Sequence, residues 1–146
     1  MPEIPSVNGI AHIIQLAVAP VFLLTGIGAI LGVMTNRLGR IIDRARVLES
    51  SMEKLSPELL SGLRSELATL SRRAKLINSA ITLCTLTALL VCTVIAILFL
   101  SAFLHFDASV PVALLFIAAM SAFFFGLLWF LREIFVATGS LRIGQR

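Results

Sequence analysis

The sequence predicts an all-α membrane protein with three transmembrane helices, the first two extended into a cytoplasmic antiparallel hairpin that is coiled-coil-like. Three observations predict it. Of 146 residues, 58% are hydrophobic and only 14% charged, and mean hydropathy is +1.01. Soluble domains carry about 45–50% apolar and roughly 25% charged residues, so both fractions depart toward a membrane protein. The apolar residues are gathered into three long blocks free of Asp, Glu, Lys and Arg. All twelve basic residues lie between the first and second blocks or after the third. High hydropathy with a net charge of only +4 excludes disorder, and the blocks exclude a soluble multidomain enzyme.

Residues 1–9 form a short tail without Lys or Arg. The first span covers 10–34. It is too long, and its start too poor in basic residues, for a cleaved signal peptide, and it is read as permanent. The second span covers 77–104 and the third 110–131, with a loop at 105–109 between them and a tail at 132–146. Each span exceeds the roughly 18–20 residues that cross about 30 Å of hydrocarbon. The excess of positive charge places the segment 35–76 and the C-terminus in the cytoplasm, and the N-terminus and 105–109 loop outside.

Segment 35–76 is polar but patterned. Leu38, Ile41, Ala45, Leu48, Met52 and Leu55 alternate spacings of three and four, as do Leu60, Leu63, Leu67, Leu70, Ala74 and Ile77. This is the a/d seam of packed helices, whether the seams close within one hairpin or between subunits. Ser56-Pro57-Glu58 separates the runs, with Pro57 suited to a first helical turn. No strong breaker separates either run from its adjoining span. Basic residues interleaved with acids, and no aromatic partners, argue against nucleic-acid binding.

Chemistry-bearing candidates are few. His12 and Gln15, near the outer end of the first span, and Asn36, at its inner end, are the candidate pore or vestibule residues. His12, Gln15 and Thr25 do not form one continuous stripe, which weakens a pore. Arg37, Arg40 and Arg44 share one helical face beside Asp43; with Arg72 and Arg73 they would form a basic collar suited to anionic lipid headgroups. Gly28, Gly32 and Gly39, and Ala122 with Gly126, have the small-residue spacing that lets helices approach closely. Hydroxyls on the second span suit bonds between helices. Cys84 and Cys92, eight apart in the second span, lack metal-ligand spacing and cannot bond each other within one helix. Trp129, Arg132 and Glu133 are read as an aromatic anchor with a surface ion pair where the third helix leaves the membrane. No nucleophile–base pair, paired carboxylates or phosphate-binding loop is present; no catalytic, cofactor or metal site is expected, and the protein is read as no enzyme.

Gln15 to Met34 (QLAVAPVFLLTGIGAILGVM), the following Thr35-Asn36-Arg37-Leu38-Gly39-Arg40-Ile41-Ile42-Asp43-Arg44-Ala45-Arg46, then Arg72-Arg73-Ala74-Lys75-Leu76-Ile77-Asn78, Ala88-Leu89-Leu90-Val91-Cys92 and Phe130-Leu131-Arg132-Glu133 carry a resemblance over nearly the whole chain. The sequence resembles the bacterial membrane family catalogued as domain of unknown function 2721. That resemblance implies a bacterial inner-membrane protein and supplies no activity. The expectation is a homo-oligomeric scaffold or accessory subunit that contacts membrane lipids and uses its hairpin for a cytoplasmic protein partner; the alternative is a homo-oligomeric passive ion or small-solute channel.

Overall fold

A computed structural model describes residues 6–142, with side chains through residue 139. The side chain of Arg142 and all of Arg146 lie outside the described residues. Three α-helices follow in order: α1 (Val7–Met52), α2 (Pro57–Leu104) and α3 (Ser109–Arg142), and no strand occurs among the described residues. All three are long and apolar enough to cross a membrane. At 46 and 48 residues, α1 and α2 are each about 70 Å long, more than twice the span of a bilayer core. They run unbroken because neither polar arm contains a residue that stops a helix. Pro20 sits buried inside α1 without ending it.

The turns follow from local chemistry. Pro57 opens α2, where a missing N–H costs nothing, and the Ser56 carbonyl accepts from Leu59 and Leu60. His105, just past α2, takes φ of 52°, the left-handed conformation that closes many helices. Asp107 then fixes the entry to α3, its Oδ1 accepting the Ser109 N–H at 3.0 Å and the Ser109 hydroxyl at 2.6 Å. Those two bonds, the hydroxyl's first, hold the exposed Asp107 carboxyl below its ordinary value.

Buried positions recur every seven residues: Pro20, Ile27, Met34, Ile41 and Leu48 on α1; Leu70, Ile77, Cys84 and Val91 on α2; Ala119, Gly126 and Glu133 on α3. That is the period at which a helix keeps one narrow face toward its neighbours. The helices contribute to two compact units, Met1–Leu31 with Leu83–Phe124, and Gly32–Thr82 with Phe125–Arg146. In the first, the core is Ala17, Ile27, Cys84, Thr87, Val91, Val94, Ala108 and Ala119. In the second it is Met34, Ile41, Leu48, Leu70, Ile77, Ala80 and the carboxylate Glu133. Of the twelve seam residues named from the sequence, only Leu55, at the turn, is exposed. Phe22, Leu89, Phe103 and Phe124 point outward, as suits side chains that face lipid.

The hydroxyls of Thr82, Thr87 and Thr93 donate to carbonyls four residues back on α2, at 2.9 Å each. Those bonds satisfy the hydroxyls within one helix, rather than between helices as expected from the sequence.

Candidate functional site

The second unit is organised around Glu133. Gly126 and Glu133 are seven residues apart on α3, so both face inward, and Glu133 is fully buried. Arg37 of α1 donates from Nε (3.2 Å) and Nη2 (2.8 Å) to Oε2. Arg73 of α2 donates from Nε (3.1 Å) and Nη2 (3.0 Å) to Oε1. Each guanidinium therefore presents its flat edge to one carboxylate oxygen, and the four bonds fill the four acceptor positions of the carboxylate. Phe130, one turn before Glu133, lies under the Arg37 guanidinium at 5.7 Å, adding a cation–π contact. One residue from each helix thus meets at one point.

The clamp holds two positive charges and one negative. The Arg37 and Arg73 side chains stay 34% and 21% exposed, so the surplus positive charge meets the surroundings instead of being sealed in. Seven residues beyond Arg37, Arg44 bonds Glu66, which lies seven residues before Arg73. Equal and opposite steps along the two helices are what antiparallel neighbours produce. This second pair is largely exposed and correspondingly weak.

The structure brings together Arg37 and Arg73, gives Arg44 to Glu66, and leaves Arg40 and Arg72 exposed. Asn36, Thr35, Gly32, Gly39, Arg40 and Asp43 line an open depression of about 490 Å³ on the outer side of α1. His12 and Gln15 are exposed in the first unit. A Cβ added at Gly28, Gly32 or Gly39 would meet nothing within 4 Å, so these glycines do not serve close approach within the chain. Gly126 is buried and Ala122 half-buried. Cys84 is buried, Cys92 exposed, and both are free.

Glu133 corrects the sequence reading. Its neighbour Arg132 lies over the Trp129 ring at 5.6 Å, on the outside of α3, while Glu133 turns inward to partners 60 and 96 residues away. The small residues Ala119 and Gly126, continued seven residues to Glu133, are the signal that marks it as inward-facing.

No curated protein and no solved structure matches the chain. A family model matches residues 17–143, which take in α2, α3, most of α1 and every residue of the clamp. The chain belongs to the family described as protein of unknown function (DUF2721).

Proposed function

We propose that this protein is a non-enzymatic scaffold or accessory subunit of the bacterial inner membrane, a homo-oligomer with its N-terminus and the His105–Ser109 turn in the periplasm. Its arginine-rich helix ends form a coiled-coil-like cytoplasmic hairpin, and its C-terminus is cytoplasmic, in keeping with the positive-inside rule. The observation that carries this reading is the state of Glu133. A carboxylate meant for catalysis or conduction keeps a lone pair for substrate, ion or water; Glu133 spends every acceptor position on Arg37 and Arg73. Its role is to hold. It fixes α1 and α2 to α3 where their apolar spans give way to polar arms, and so sets the direction in which those arms project. Arg40, Arg72 and the surplus charge of the clamp suit anionic headgroups, at about 1 kcal/mol per basic residue near the surface. The hairpin suits a cytoplasmic protein partner.

Flux through proteoliposomes tests the reading against a passive channel through His12, Gln15 and Asn36. The scaffold reading expects cation, anion and small-solute flux at the level of empty vesicles. Flux above that level, lost on His12→Leu or Asn36→Leu, replaces it with the channel. A hairpin deletion that leaves every co-purifying protein and lipid unchanged also refutes it.

A further inference from the structure

The outer face of α1 carries charges and an amide that the chain itself does not use. At about 100° per residue, nine residues turn a helix by half a revolution beyond two full turns. Gly32 therefore lies opposite the buried Ile41, and Asp43 opposite the buried Met34. On this outward face stand Asn36, Arg40, Asp43 and Arg46, all exposed. Among the described residues none of these four makes a hydrogen bond or an ion pair. Arg40 and Arg46 lie three residues either side of Asp43, about 60° to its left and right. Gly32 and Gly39 leave the backbone between them bare, with room for a neighbour.

We infer that this face of α1 is the contact between two copies of the chain, related by a two-fold axis along the membrane normal. The inference rests on the homo-oligomeric reading above and names its surface. Copies in one membrane share one orientation, so equivalent residues meet at equal depth. A two-fold contact must be complementary to itself. This face is: Asn36 both donates and accepts and pairs with the partner's Asn36, and Asp43 is flanked by the partner's Arg40 and Arg46. The rise from Arg40 to Asp43 is about 4.5 Å, within the reach of an arginine side chain. The glycines permit the backbone approach those contacts need, which residues with a Cβ on both helices would hinder. An exposed amide beside the apolar span, costly against lipid, gains a partner by the same step.

Mass measurement on the full-length protein in mild detergent and in lipid nanodiscs tests this, over a dilution series. Wild type is expected as a dimer or a multiple of it. Arg40→Asp and Asp43→Arg are each expected to weaken association about tenfold or more, and the triple variant Arg40→Asp/Asp43→Arg/Arg46→Asp to recover most of it, because reversing all three charges restores an opposite pair on both sides of residue 43. Gly32→Leu is expected to dissociate the dimer while the monomer keeps its helix content and unfolding temperature, since nothing lies near Gly32 in the chain. An oligomer unmoved by all of these, or a triple variant no better than the singles, overturns this interface and leaves oligomerisation standing. A monomeric wild type in nanodiscs overturns both.

Discussion

Glu133→Ala is the perturbation that bears most directly on the clamp. It removes a fully buried carboxylate and leaves two arginines facing one another across the space it occupied. Deleting one partner of a buried ion pair costs about 3–5 kcal/mol, because the remaining charge is left uncompensated. Arg37 and Arg73 are 34% and 21% exposed and recover some hydration, which places the expected loss near the lower end, about 3 kcal/mol. For a chain of this size about 2–4 °C accompanies each kcal/mol, so the unfolding midpoint should fall by about 6–12 °C. Trp129 is the only tryptophan and lies one turn from Glu133, so its fluorescence reports melting at the site in mild detergent. In the Glu133→Ala background, Arg37→Met should no longer destabilise, which a double-mutant cycle measures. A Glu133→Ala midpoint within 2 °C of wild type (a shift of about 1 kcal/mol or less) would refute the assignment of Glu133 as the point that joins the helices.

Four further outcomes follow from the same structure. Replacing the whole clamp by apolar side chains, Arg37→Met, Arg73→Met and Glu133→Leu together, should give a midpoint equal to or above wild type, since a buried triad repays its desolvation poorly. Glu66→Ala should cost less than about 1 kcal/mol in the same melt, because the Arg44–Glu66 pair is largely exposed. Gly62→Ala on the outside of α2 should raise stability by about 0.5–1 kcal/mol, as nothing stands where its Cβ would go. Asp107 has its pKa lowered on folding, so its contribution is present above the ordinary 3.8 and is lost as pH falls below that through the folded value. The protection of the Ser109 amide hydrogen against exchange, relative to its intrinsic rate at each pH, should fall in that acid window in wild type, and Asp107→Ala should show the lower protection already at pH 7.

Much of the fold was legible because it is written in local periodicity. Three uncharged blocks specify three helices, and the three-four alternation of Leu38 through Met52 and of Leu60 through Ile77 identifies the face that the chain buries. The polar turn at Ser56-Pro57 is equally local. The clamp was only half legible. Arg37 and Arg73 stood out as basic residues beside apolar spans, but what joins them is a residue of α3, and sequence adjacency assigned Glu133 to Arg132. Pairing across 60 and 96 residues depends on which way each helix is rotated, and that is set by the seven-residue rows ending at Glu133, not by neighbours in the chain. The glycines of α1 misled in a related way. Their spacing speaks of close approach, yet within the chain they face open space, and the helix uses its opposite side for packing.

A cryo-EM reconstruction of the full-length protein in lipid nanodiscs tests the central claim most directly. The account predicts α1 and α2 as two continuous rods that leave the bilayer side by side and project roughly 30 Å beyond it, about 20 residues at 1.5 Å each. At the base of those rods, density for Glu133 should join the guanidinium groups of Arg37 and Arg73. Rods that part or bend at the membrane surface, or a Glu133 side chain turned outward beside Arg132, would contradict it.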